Sequence, residues 1–193
     1  SGWGERFLDY ANDGWKDLFV AQGHVMDTIE KTSPNLRYLQ PPLLLRNESG
    51  RFVRVLPGDV FRKDWAGRGA AFGDLDNDGD VDVVVSNVGQ KAIVLRNEGG
   101  NRQNWIGLRL VGQRSNRDGI GSQVKVVAPS GATQHFTVTT AVGYLSASDK
   151  RLLVGLADQT SAARIEIRWP TGVMQRIENV KAGQTMVITE GTK

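Results

Sequence analysis

Apolar residues along this chain recur in short bursts rather than in long periodic faces. DLFVAQ (17–22), LLLRN (43–47), VDVVVSNV (81–88) and AIVLRN (92–97) are brief, rich in β-branched or aromatic residues, and bounded by Gly and Asn. Runs of that length and make-up predict strands. The second half follows the same habit: NWIGLRLVG (104–112), SQVKVVAP (122–129), ATQHFTVTT (132–140), RLLVGL (151–156), ARIEIRWP (163–170), VMQRIENV (173–180) and QTMVITE (184–190). Apolar and polar positions alternate in IEIRW and QVKVV, so these strands have one wet face. NRDGIG, PSGA, PTG and KAG separate them as turns. Seven short strands at this spacing predict a small antiparallel sandwich or a barrel-like domain. VMDTIEK (25–31) has room for a helical turn or two before Pro41-Pro42 stops it.

The first half repeats itself. FLDYANDGWKDLFVAQG (7–23) aligns with FGDLDNDGDVDVVVSNVG (72–89), and LLLRNESGRF (43–52) with IVLRNEGGNR (93–102). Each copy reads loop, strand, then a second strand ending Leu-Arg-Asn-Glu-x-Gly. The first copy carries an insertion of about twenty residues near positions 23–42. Periods of this order belong to propeller blades or solenoid units. The reading is therefore of parts of two four-stranded antiparallel units.

Each copy opens on an acidic loop, and the second, DLDNDGDVD (74–82), crowds five carboxylates into nine residues. Like charges at such spacing repel one another unless a cation neutralises them. Oxygen donors at alternate positions suit a hard cation, and Ca²⁺ takes six to eight oxygens. Asp74, Asp76, Asp78 and Asp82 would offer side chains, and Asp80 its main-chain carbonyl. Gly79 permits the sharp bend. An EF-hand would need Glu at loop position 12 and flanking helices; Val85 stands there, in a strand-like run. In the first loop, DYANDGWKD (9–17), the corresponding donors are Asp9, Asp13, Asp17 and the Trp15 carbonyl. Ala11 supplies nothing and Lys16 adds a positive charge, so weaker binding is expected there.

Composition changes this picture little. At 193 residues, 39% hydrophobic and 23% charged, the chain has an ordinary globular make-up. No run approaches the roughly 20 apolar residues of a membrane span. The absence of cysteine excludes disulfides and thiolate zinc sites. Residues 1–103 hold 13 Lys+Arg against 15 Asp+Glu, and the remainder 11 against 6. The basic residues are scattered rather than striped, which gives no nucleic-acid footprint.

AAFGDLDNDGDVDVVVSN resembles the FG-GAP (VCBS-type) repeats of integrin-like β-propellers, in which each blade carries such a calcium loop between two strands. Asn116-Arg117-Asp118-Gly119-Ile120-Gly121, Gly143-Tyr144-Leu145-Ser146, Gly155-Leu156 and Trp169-Pro170-Thr171-Gly172 resemble the ASPIC and UnbV domain. The pairing is similar to that of bacterial relatives of the cartilage acidic protein family. The resemblance implies an all-β chain. Two FG-GAP-type propeller blades would fill residues 1–102, and a small ASPIC/UnbV sandwich or barrel-like domain residues 103–193. It also implies Ca²⁺ as the bound ion and an exported, extracellular or periplasmic protein.

No pattern marks catalysis. His135, Ser146 and Asp149 could be drawn as a triad, but no G-x-S-x-G elbow accompanies them. Neither His24 nor His135 has an H-E-x-x-H partner. Tyr144, in GYLSASDKR, reads as a packing anchor. The expected function is a non-enzymatic, calcium-stabilised binding or adhesion module for a protein or glycan. The alternative is an accessory or catalytic component of a small-molecule biosynthetic pathway. Two blades cannot close a ring, so open edges predict self-association through residues 1–60. The first blade, opening inside a repeat, is expected to be the less complete of the two.

Overall fold

A computed structural model describes residues 1–191. It is all-β in five sheets, with no closed barrel. The first sheet takes β1 (Gly2–Leu8), β2 (Asp17–Gln22), β3 (Leu43–Glu48) and β4 (Arg51–Val55) in sequence order, all antiparallel. The insertion between β2 and β3 holds a short helix, α1 (Ile29–Thr32), which starts later than VMDTIEK suggested. The second sheet has only three strands: β5 (Gly67–Gly73), β6 (Asp82–Asn87) and β7 (Ile93–Leu95).

The first copy is thus the more complete of the two, the reverse of the expectation. Residues 2–8 supply the strand before the first loop by pairing with β2. The second copy stops short because its Leu-Arg-Asn-Glu turn differs. In the first copy Ser49 and Gly50 both take positive φ (54° and 95°) and close a β3–β4 hairpin. In the second copy Gly100–Arg102 coil into a 3-10 turn, and the chain leaves for another sheet.

That sheet places β8 (Asn104–Val111) between β13 (Leu152–Ala157) and β16 (Gln184–Thr189). Against it lies a four-stranded sheet in the order β10 (Thr133–Thr137), β9 (Gln123–Val127), β14 (Ser161–Arg168), β15 (Met174–Lys181). The two share one core of Ile106, Leu108, Val124, Val154, Ile165 and Trp169 with their neighbours. This is a sandwich of three strands on four. The alternation in IEIRW holds: Ile165, Ile167 and Trp169 are buried, while Glu166 faces outward beside Lys125 and Arg164. One pairing departs from the antiparallel expectation. β16 runs parallel to β8, because the chain reaches it by crossing from β15 in the opposite sheet rather than by a hairpin.

A separate core of Leu8, Phe19, Leu44, Phe61, Phe72 and Val85 lies between the first two sheets. Phe19 is buried there, whereas Phe7 is exposed and faces Phe52 at 6.1 Å between ring centroids.

The fifth sheet is a ribbon of β11 (Ala141–Val142) and β12 (Ser146–Ala147), turned through Gly143-Tyr144-Leu145. Its position explains that segment. β5 is an edge strand, and an edge leaves N–H groups unpaired. The Ser146 hydroxyl accepts from Ala70 N and the Ser148 hydroxyl from Phe72 N, both at 2.9 Å. Asp149 N then donates to the Phe72 carbonyl. Tyr144, about half exposed, packs edge-on against Trp3 at 4.9 Å, and its N–H donates to the Trp3 carbonyl. The ribbon ties the sandwich to the N-terminal sheets.

Candidate metal centre

The two acidic loops fold alike, bond for bond. In the second, both Asp74 oxygens accept main-chain N–H groups, from Asp78 at 3.0 Å and Gly79 at 3.2 Å. Asp78 accepts from Asp80 N. Asp82 accepts from Leu75 N at 3.0 Å and Asn97 N at 2.8 Å. In the first loop Asp9 accepts from Asp13 N and Gly14 N, Asp13 from Trp15 N, and Asp17 from Tyr10 N and Asn47 N. Asn12 and Asn77 share a positive φ near 55–60°, as do Gly14 and Gly79 near 90°. The two loops therefore share a conformation tied by their first, fifth and ninth residues and by the turn at the fourth and sixth.

What differs is the donor set. Carboxylate oxygens of Asp74, Asp76 and Asp78 lie within 4.8 Å of one another. Asp74 is buried, Asp78 half-buried and Asp76 exposed. A carboxylate oxygen that accepts one N–H keeps a second lone pair, so the trio can still donate to a cation. Arg96 pairs with Asp76 at 2.7 Å on the exposed side. The donors are all hard oxygen, which fits Ca²⁺. Asp82 stands outside the trio, its oxygens turned to Leu75 and Asn97. Asp80 is fully buried; one carboxylate oxygen accepts from Asn101 N at 3.3 Å, and the other has no partner among the described residues. Desolvation pushes the Asp80 carboxyl well above the usual range; the Asn101 N–H works against this, and Asp78 and Asp82 add to it. Burial raises Asp74 as well.

The first loop forms no such trio among the described residues. Ala11 replaces the carboxylate that Asp76 supplies. Arg46, the counterpart of Arg96, lies 3.9 Å from Asp13 instead. The Lys16 ammonium packs over the Phe136 ring at 4.4 Å, near enough to act on Asp9. Burial pushes Lys16 down, and Asp9 chiefly opposes that. Burial pushes Asp9 up to about 6, with Lys16 opposing. The Trp15 side chain is exposed. Lys16 thus places a positive charge near this loop without an ion pair to its carboxylates among the described residues.

Both loops press against the sandwich. Asn12 Nδ2 donates to the Gly79 carbonyl at 2.8 Å, joining loop to loop. Ala157 N donates to the Asn12 carbonyl, and Gly155 lies so close that a Cβ there would overlap Asp9 and Asn12. At Gly79 a Cβ would overlap the Trp105 indole. The Arg151 guanidinium reaches the Asp74 carbonyl at 2.6 Å and the Asn77 side chain at 2.7 Å.

Sequence reasoning found the carboxylates but missed Asn97, Asn101, Trp105 and Arg151. Asn97 carried a signal: Asn47 and Asn97 hold the same place in the repeated Leu-Arg-Asn-Glu turn. Trp105 and Arg151 lie outside the repeat and carried none, and Asn101 stands within it but opposite Arg51, so the repeat gave no signal for it.

The drawn triad does not assemble. The Ser146 hydroxyl donates to the Tyr144 carbonyl, Asp149 pairs with Arg151, and His135 makes no hydrogen bond with either among the described residues. Asn116 closes the NRDGIG turn by bonding both main-chain groups of Ile120, and Asp118 pairs with Lys150. Among the described residues, no helix is long and apolar enough to cross a membrane.

These sheets and loops define a β-rich module. Residues 9–85 match the FG-GAP-like repeat family model and residues 112–193 match the ASPIC and UnbV family model. Cartilage acidic protein 1 of Homo sapiens is 28% identical over 153 residues, which is 76% of this chain. The chain spans only 22% of that protein's length.

Proposed function

We propose that residues 74–82 bind one Ca²⁺ and that the ion stabilises an exported, non-enzymatic module for binding or adhesion. The observation that carries the reading is the convergence of Asp74, Asp76 and Asp78 within 4.8 Å. The Asp80 carbonyl and Asp82 would complete the oxygen set. The ion would supply charge neutralisation and a cross-link across the loop. The residues do the rest: Asp74 and Asp82 hold the loop's shape through main-chain N–H groups, and Gly79 makes the turn. Extracellular calcium modules bind at about 10⁻⁴–10⁻³ M, and this site belongs in that range. In this reading the first loop is a weaker site or one satisfied by Lys16. Residues 1–102 and 103–193 are two domains. Export rests on the FG-GAP-like match and the likeness to cartilage acidic protein 1. The exposed Phe7–Phe52 pair is a candidate contact for a protein or glycan partner.

Ligand binding to the folded state alone raises its stability by RT ln(1 + [L]/Kd). Thermal unfolding with millimolar Ca²⁺ and with a chelator tests the reading. The expected result is a higher Tm with Ca²⁺, lost in Asp78→Ala. Equal Tm values under both conditions would count against it.

A further inference from the structure

The 74–82 loop is held by residues that lie outside it. Arg151, which directly precedes β13 of the sandwich, donates through Nη2 to the Asp74 carbonyl at 2.6 Å and through Nη1 to Asn77 Oδ1 at 2.7 Å. Its Nε is fixed in turn by Asp149. Asn101, in the turn that leads into β8, donates through Nδ2 to Asp78 Oδ2 at 2.9 Å and through its main-chain N–H to Asp80 Oδ2. Trp105, on β8, covers Gly79 so closely that no side chain fits between them. One of the three converging carboxylates, Asp78, and the backbone that carries another, Asp74, are thus held by the turn into β8 and by the sandwich.

We propose that Arg151 and Asn101 are positioning residues for the 74–82 cation site, so that cation binding and docking of the sandwich are one linked equilibrium. The proposal rests on the calcium reading above and goes beyond it. Outer partners that orient metal ligands typically change affinity by about 10–100-fold when removed. A coupling between two events is reciprocal: if docking orders the loop for the ion, the ion must tighten docking by the same factor. Arg151 also supplies an unusually clean test, because its two possible effects have opposite signs. As a positive charge beside the loop it opposes a cation, so neutralising it would tighten binding. As a fork that fixes Asp74 and Asn77 it prepares the loop, so removing it weakens binding. Its charge is already offset by Asp149, which favours the second effect.

Isothermal titration with CaCl₂ on the full chain, wild type against Arg151→Gln, Arg151→Lys and Asn101→Ala, decides between them. The expected result is affinity weakened about tenfold or more by both Arg151 substitutions, although Lys keeps the charge, with a like direction for Asn101→Ala. Tighter binding in Arg151→Gln with unchanged binding in Arg151→Lys would overturn the proposal and leave a purely electrostatic role. Hydrogen exchange on the wild-type chain reads the other half and needs no variant to fold. Ca²⁺ should slow exchange at residues 105–110 and 152–157 several-fold, as well as within the loop. Protection confined to 74–82 would overturn the coupling while leaving calcium binding intact. No calcium binding by wild type would sink the metal reading itself, a result distinct from either.

Discussion

Asn12 Nδ2 donates to the carbonyl of Gly79 across 67 positions of sequence, so the fourth residue of one acidic loop caps the sixth residue of the other. The two loops are copies in sequence and in hydrogen bonding, yet they meet as unlike partners. One gathers three carboxylates; the other carries Ala11 and Lys16 in place of an acid and an apolar residue. On the calcium reading, Ala11 for Asp76 and Lys16 for Val81 weaken the first loop as a cation site, while Trp15 for Asp80 keeps the carbonyl donor.

That claim can be tested by restoring the missing chemistry. Ala11→Asp with Lys16→Val gives the first loop the donor pattern of the second, on a backbone that already adopts the turn. The double variant should bind two Ca²⁺ per chain where wild type binds one, measured by equilibrium dialysis. A stoichiometry that stays at one would show that more than the donor set separates the loops.

Within the sandwich, Glu190 gathers an unusual number of donors. Its carboxylate accepts from the N–H groups of Gln113, Arg114 and Ser115 and from the hydroxyls of Ser115 and Thr171. It thereby pins the turn after β8 to the Trp169-Pro170-Thr171-Gly172 turn. Desolvation pushes this carboxyl up, but the bonds from Ser115, Thr171, Arg114 and Gln113 outweigh it and hold the group at about 2. A depressed folded value means the stabilisation is fully present above the ordinary value of 4.5 and is lost as pH falls towards 2. Glu190→Gln should therefore lower Tm at pH 7, and the gap from wild type should close between about pH 4.5 and pH 2. Parallel Tm–pH curves would contradict this account of Glu190.

The segment GYLSAS makes a third expectation. Ser148→Ala would leave the Phe72 N–H buried without a partner, at a cost of about 1–3 kcal/mol in unfolding free energy. Denaturant unfolding measures it. A loss under about 0.5 kcal/mol would mean that the edge of β5 finds water or another acceptor.

Much of this was legible beforehand because it is local. Alternation at Ile165, Ile167 and Trp169 fixed which face of β14 is buried, and Asp74, Asp76 and Asp78 announced their loop by spacing alone. What escaped was decided by distant partners. Spacing alone did not show that Asp82 ties the loop to Leu75 N and, through Asn97 N, to the distant Leu-Arg-Asn-Glu turn. GYLSASDKR carried no strand pattern because its hydroxyls serve the edge of β5, a strand about 75 residues earlier. The missing fourth strand of the second copy turned on Glu98-Gly99-Gly100-Asn101 against Glu48-Ser49-Gly50-Arg51. Both read as turns; only the bonds from Asn101 to Asp78 and Asp80 show why one of them coils and departs.

The central claim is that residues 74–82 form a calcium site built on Asp74, Asp76 and Asp78. Calorimetric titration of the chelator-stripped chain with CaCl₂, beside Asp76→Ala, Asp78→Ala and Asp9→Ala, tests it most directly. The account predicts one Ca²⁺ per chain at sub-millimolar to millimolar affinity, abolished by Asp78→Ala, weakened by Asp76→Ala and little changed by Asp9→Ala. No heat of binding at millimolar Ca²⁺, or binding that survives Asp78→Ala and disappears in Asp9→Ala, would contradict it.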